Sequence, residues 1–566
     1  MTERISFESA QKKALDIART RLVLGGALML VAFLVVIVKL VGITAFSESG
    51  KTFTASARNV VSETKMGRAD IFDRNGYLLA TTLITHSLFA NPSDITNLES
   101  TAESLANIFP SLSKTSITKT LSKTHNDGKK KKFVWLKRHI TPNQAYKVNR
   151  LGVPGLDFKK QERRIYPHSN LTAHVIGFTD TDNKGLAGLE RQFNVHLSTT
   201  KKPLHLSIDI RVQQILKQEL SSQMNKFKAI GGTGLMLDVN SGEILALVSL
   251  PDFDPNASNK ASDNEKMNRA TMEVHELGSV FKIFNHAIAL ETGVAKMDSH
   301  YDARKPIYIA GHKIDDYHAK YRWLTVPEVF IFSSNIGSAK MALDIGHETQ
   351  RKFFRNLGLL RKSDVELPEL GRPLYPPTWN KLSSMTVAFG HGISVSSLHA
   401  ASAVASIING GNLLPATLIQ SDKIQLTGEK VISEKTSEAM RKLLRMVVKN
   451  GTGRNAEAPG YMVGGKTGTA DKVVDGIYSK TDVISSFIGV FPMNSPRYLV
   501  LVQLDEPKGI KESHYYRTGG WTAAPVVGQV ISKVAPLLGI PPIEIKSNSI
   551  INVSSPSTER QKITMN

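Results

Sequence analysis

The first 21 positions of the chain are largely polar, and the pattern then changes sharply. Leu22–Val38 is wholly apolar or glycine, and after Lys39 the apolar run resumes as Leu40–Phe46. At roughly 1.5 Å per residue a helix of this length rises about 37 Å, enough to cross a bilayer. Arg4, Lys12, Lys13, Arg19 and Arg21 precede it. That basic flank predicts an amino terminus on the cytoplasmic side and everything after Phe46 on the other. Ala45-Phe46-Ser47 is a weak cleavage site, but the apolar core is too long for a signal peptide. Residues 1–21 are therefore read as a cytoplasmic tail and 22–46 as an uncleaved anchor.

From 47 to 205 the pattern is mixed, with short strand-like pieces. In Gly67–Ala80 the turn signal Asn75-Gly76 separates two apolar arms, which predicts a hairpin. A second domain, 206–540, opens with arms at Gly234–Asp238 and Glu243–Ser249 around Val239–Gly242, again a hairpin. Asp252–Asn268 is polar and reads as a mobile loop. Val280, Phe281, Ile283, Phe284, Ala287, Ile288 and Leu290 then recur at helical spacing. Leu324–Ala342 reads as one helical segment, Ala400–Ile408 as a helix of small residues, and Thr522–Leu538 as a closing helix. Val463–Ala470, Ser485–Phe491 and Tyr498–Asp505 read as neighbouring strands. The fold class is α+β, with an antiparallel sheet, flanking helices and a helix-rich lobe. Residues 541–566 are polar and read as a disordered tail.

Composition narrows the picture. A chain of 566 residues implies two or more domains. It holds no cysteine, which excludes disulfides and thiolate metal sites. The net charge of +21 is spread along the chain without a nucleic-acid-binding signature, so an anionic wall polymer or a membrane surface is the better partner. The run Lys129–Lys132 reads as a solvated loop.

The candidate chemistry lies in His275–Lys282, H-E-L-G-S-V-F-K. Ser279 stands at the start of the helical run, and Lys282 lies one turn along the same face. A serine hydroxyl needs a base, and a lysine can be that base only where burial or a nearby cation lowers its pKa. A capping serine beside a snorkelling lysine would give the same local pattern. Two further stretches decide between them: Phe332–Gly337 reads F-S-S-N-I-G, and Gly464–Ala470 reads G-G-K-T-G-T-A. S-x-x-K, S-x-N and K-T-G in that order are the set of penicillin-binding proteins and class A β-lactamases.

On these motifs the chain resembles a class B penicillin-binding protein, and within that family the division-specific peptidoglycan D,D-transpeptidases. The amino-terminal half carries matching motifs. Gly67–Ala80 is similar to the R-G-x-I-x-D-R-N-G-x-x-L-A motif of the family, with Ala69-Asp70 as a small departure. Further matches are Phe133–Arg138, Arg163–Pro167, Ala173–Gly177 and Gly185–Glu190. The resemblance implies that 47–205 is a non-catalytic pedestal, or dimerisation, domain holding a transpeptidase domain off the membrane.

It also implies roles. Ser279 would attack the penultimate D-alanine of a stem peptide, with Lys282 accepting its proton. Ser333 would relay a proton to the leaving amine, and Asn335 would hold the donor's amide and Lys282. Lys466 would add charge near the substrate carboxylate, and Thr467 and Thr469 would bond it. Gly468 would let substrate backbone lie along the strand, and the N–H groups of Ser279 and Thr469 would form the oxyanion hole. Ser334 and His391 read as packing. Neither cofactor nor metal is called for. The implied partners are D-Ala-D-Ala stem peptides, β-lactams as inhibitors, a membrane glycosyltransferase and other division proteins, at the septum of the inner membrane.

Other readings fit the residues less well. Gly460–Thr467 fits the phosphate-loop pattern, but Pro459 precedes it and Gly468 follows where a helix should start. A β-lactamase would need an E-x-x-L-N stretch, and a signalling receptor several spans and usually H-E-x-x-H. An elongation-type relative stays open. Met385–Gly392 is closer to the division type, yet Ser396-Ser397-Leu398-His399 replaces the usual T-P-L-Q.

Overall fold

The computed structural model describes residues 8–45, 67–124, 131–421, 428–474 and 476–543. The disordered tail expected from 541 lies outside these from 544 on, as do residues 1–7, 46–66 and part of the Lys129–Lys132 run. Glu8–Ala45 is one helix, so the expected polar tail is itself helical from Glu8. Among the described residues this is the one helix long and apolar enough to cross a membrane, over Arg19–Val38.

From Gly67 onward the chain forms a second unit. Its first sheet is built on the long strand Leu78–Ala90, flanked antiparallel by Val134–Ile140 and Leu156–Ile165. The expected hairpin is present: Ile71–Phe72 pairs with Leu78–Ala80, and the Asp73 carboxylate accepts from the N–H groups of Asn75 and Tyr77 inside the turn. Three of the family-like motifs converge on one buried point. Glu190 is fully buried and takes ion pairs from both Arg68 and Arg164. A Cβ on Gly177 would stand 1.9 Å from the Ala187 carbonyl oxygen, so two motif segments touch through backbone.

The second sheet has five antiparallel strands: β1 Gly231–Asp238, β2 Ile244–Leu250, β3 Gly464–Val474, β4 Ile477–Phe491 and β5 Tyr498–Asp505. Their order is β3-β4-β5-β1-β2, which leaves β3 at an edge. Alternate residues of β5 face opposite layers, as strand geometry requires. Tyr498, Val500, Val502 and Leu504 join a core with α1 (Ile210–Phe227) and the closing helix Ala523–Leu537. Leu499 and Leu501 join the larger core of the helical lobe. In that lobe, α2 (Lys282–Thr292) packs against α3 (Asn335–Ile345).

Two expectations need correction. Leu324–Ala342 is not one helix: Val326–Ile331 ends before Ser333, which takes φ +60°, and α3 begins at Asn335. Asp252–Asn268 is no open loop, since it forms a turn and a short helix with a capping box at Ser262 and Glu265. Asn256 of this segment bonds both the N–H and the carbonyl of Tyr166, which docks it on the first domain. The unusual Ser396–His399 segment is the cap of helix Ser397–Ile408, with Ser396 Oγ 2.7 Å from His399 Nδ1.

Candidate active site

Ser279 lies in a 3₁₀ turn, Gly278–Phe281, that runs directly into α2. In such a turn residues three apart eclipse, so Ser279 and Lys282 meet more closely than on an α-helix. Lys282 Nζ lies 3.1 Å from Ser279 Oγ. Gly278 makes the placement possible. It takes φ +54°, and a Cβ there would come within 2.4 Å of the Thr469 carbonyl oxygen. The turn therefore lies against β3 backbone to backbone, and only glycine permits both the conformation and the contact.

Lys282 is wholly buried. Its amine also bonds the Ser333 carbonyl (2.5 Å), Ser333 Oγ (3.1 Å) and Asn335 Oδ1 (2.7 Å). Burial pushes its pKa well below the ordinary lysine value, and the like charge of Lys466 pushes it further. Lys466 is equally buried, and burial lowers it to about 7. Its Nζ donates to Ser333 Oγ at 3.0 Å. The Ser333 hydroxyl thus stands between two buried lysines, both held below the ordinary lysine pKa. Ser279, Ser333, Asn335 and Thr469 are half-buried around this pair.

All eight predicted residues come together here. A Cβ on Gly468 would meet Ser486 Oγ at 2.3 Å and the Leu277 carbonyl oxygen at 2.4 Å. That glycine admits the backbone leading into the nucleophile's turn. Thr467 Oγ1 lies 2.7 Å from Thr452 Oγ1, and Thr469 Oγ1 accepts from the Gly519 N–H at 3.2 Å. Ser334 caps α3 through the Gly337 N–H, a packing role as expected. Lys466 and Thr467 lie inside β3, where a phosphate loop would need the start of a helix.

One residue escaped the sequence reading. Asp316 Oδ1 accepts from the N–H groups of Asn335 (2.6 Å) and Ile336 (2.9 Å), and Oδ2 from Ser334 Oγ (2.7 Å). A carboxylate at a helix start satisfies orphan donors and the dipole together. Asp315 adds its carbonyl to Asn335 Nδ2. Nothing local marks Asp316, because its partners lie 18 to 20 residues on.

The arrangement is a serine hydroxyl, a buried amine of lowered pKa beside it, a second hydroxyl bridging to another amine, and the terminal strand of the sheet. It can acylate a serine from an activated amide and pass a proton to the departing amine.

Comparison with known proteins gives a consistent result. Residues 232–532 match the penicillin-binding protein transpeptidase domain, and 63–225 the penicillin-binding protein dimerisation domain. The chain is 39% identical over 487 residues to the probable peptidoglycan D,D-transpeptidase FtsI of Caulobacter vibrioides, covering 84% of this chain and 82% of that one. It is 30% identical to peptidoglycan D,D-transpeptidase FtsI of Escherichia coli, covering 85% of each. Among solved structures, penicillin-binding protein 3 from Mycobacterium tuberculosis, complexed with aztreonam, shares the fold with a TM-score of 0.66 at 24% identity, over 84% of this chain and 97% of that one.

Proposed function

The chain belongs to the penicillin-binding protein transpeptidase family, and on that premise we propose a peptidoglycan D,D-transpeptidase that cross-links septal wall during cell division. The observation that carries the reading is the 3.1 Å approach of Ser279 Oγ to a buried lysine amine held low in pKa. In the proposed reaction Ser279 Oγ bonds the carbonyl carbon of the penultimate D-alanine and gives its proton to Lys282 Nζ. The oxyanion is met by the N–H groups of Ser279 and Thr469. Ser333, bonded to both lysines, relays a proton to the terminal D-alanine nitrogen as the C–N bond breaks. Asn335 holds the donor amide, and Lys466, Thr467 and Thr469 take the carboxylate. The amine of a second stem peptide then attacks the acyl-enzyme, which forms the cross-link and returns Ser279 to its hydroxyl.

A β-lactam enters the same path and stalls as the acyl-enzyme. We assign 1–21 to the cytoplasm, 22–46 to a single-pass anchor, 47–205 to the pedestal and 206–540 to catalysis outside the cytoplasmic membrane. A separate membrane glycosyltransferase would supply the glycan strands. The test is labelling of the purified full-length protein with a fluorescent penicillin. A stable adduct is expected on the wild type and none on Ser279→Ala. Labelling that survives Ser279→Ala removes the assignment.

A further inference from the structure

Beyond Thr469 the edge strand β3 continues to Val474, and its far end walls a cleft of about 520 Å³. Glu276, Asp471, Lys472 and Tyr478 line it, together with His275 and Leu374. Glu276 is more than nine-tenths buried. Its Oε1 accepts from the Gly392 N–H (2.7 Å) and from the Tyr478 hydroxyl (2.9 Å). Its Oε2 is buried too and has no partner. A carboxylate accepts at both oxygens, so a donor is missing from this one.

The basic side chains of the lining do not supply it. Lys472 Nζ is held by Asp505 (2.8 Å) and Glu506 (2.9 Å), and His275 Nε2 by Glu273 (3.2 Å). Asp471 adds a second, exposed carboxylate at the mouth. The cleft is acidic, partly apolar and short of one buried donor, a combination that fits an alkyl ammonium group.

The position along β3 says which part of a substrate reaches it. This step rests on the transpeptidase reading above. A peptide added to the free edge of β3, with its carboxylate at Lys466 and Thr467, runs antiparallel and advances about 3.3 Å per residue. Its last two residues occupy the stretch to Thr469, and the residue before them falls beside Ala470 and Asp471. That is the mouth of the cleft.

We propose that this cleft recognises the side-chain ammonium of a diamino acid at the third position of the donor stem peptide, with Glu276 as its buried acceptor and Tyr478 fixing that carboxylate. The same ammonium chemistry occurs on the acceptor peptide, so the test isolates acylation, where only the donor is present.

The full-length protein is acylated with two peptides ending in lysyl-D-Ala-D-Ala, one with a free ε-amine and one N-ε-acetylated. Released D-alanine is measured in the first turnover only, with enzyme in excess over peptide, because the free ε-amine can itself act as an acceptor in later turnovers. The free amine is expected to acylate the wild type at least ~10-fold faster, the low end of what one hydrogen bond to a charged group contributes. Glu276→Gln should bring the ratio to near one. Should Glu276→Gln not fold, Asp471→Asn and Tyr478→Phe are read in the same way, and each should lower the ratio. Equal rates in the wild type, or a ratio unchanged in the variants, overturn the proposal. Discrimination seen only when an amine attacks a preformed acyl-enzyme overturns the donor placement. Fluorescent-penicillin labelling of the wild type in the same preparation separates these outcomes from a failure of the transpeptidase reading.

Discussion

Ser279 Oγ and Lys282 Nζ stand 3.1 Å apart, and the lysine of the pair has no exposed surface at all. A charged ammonium is costly in such a place, so the site favours the neutral amine that a general base must be.

The first expectation concerns pH. Acylation needs neutral Lys282, so its second-order rate should rise with pH through the lowered lysine pKa. It should fall above about 7 for carboxylate-bearing substrates, as Lys466 loses its charge. In Lys466→Met the like charge beside Lys282 is gone, so Lys282 titrates higher. The rising limb then moves to higher pH and the falling limb disappears. Stopped-flow acylation from pH 5 to 9 reads both limbs, and a rising limb that stays put contradicts the coupling.

A second expectation follows for stability. The folded state resists protonation of Lys466, whose pKa is about 7 against 10.5 in an ordinary lysine. Between those values the unfolded chain binds more protons, so stability rises with pH across that window. Lys466→Met should weaken the rise. Thermal unfolding at pH 7 and pH 10 measures it, and an unchanged difference argues against a buried neutral lysine.

Asp316→Ala should act at a distance from the nucleophile. It strips acceptors from two backbone N–H groups and the Ser334 hydroxyl, at roughly 1–3 kcal/mol of stability. Asn335 and the Ser333 turn lose their anchor. Acylation should fall on the order of 10²-fold, the scale of a small misplacement of reacting groups. Wild-type acylation in a destabilised but folded variant would make Asp316 merely structural.

Gly278→Ala tests the backbone contact between the nucleophile turn and β3. The added methyl would meet the Thr469 carbonyl oxygen at 2.4 Å, at a φ of +54°. A lowered melting temperature together with loss of penicillin labelling is expected. Full labelling would mean that the turn can shift without harm.

How far the sequence carried these results depends on the residue. The strands of the second sheet were legible because their apolar residues face two helical layers, as in Tyr498–Asp505. The motif residues were legible because S-x-x-K, S-x-N and K-T-G are local. The break at Ser333 was not, since a left-handed serine lacks the glycine or proline that announces a turn. Nor was the Glu276–Tyr478 pair, whose partners are 202 residues apart and meet only through the sheet. The first-domain motifs were visible as resemblance, but their physical reason, two arginines on one buried Glu190, needed the fold.

The central claim is that Lys282 works as a neutral base, and Lys282→Arg addresses it most directly. Arginine keeps the positive charge and does not deprotonate at working pH. The measurement is the acylation rate of the purified, folded variant by a penicillin, against wild type at the same pH. The account predicts a fall of at least ~10³-fold, as when one member of a coupled catalytic unit is removed. Near-normal acylation by Lys282→Arg would contradict it.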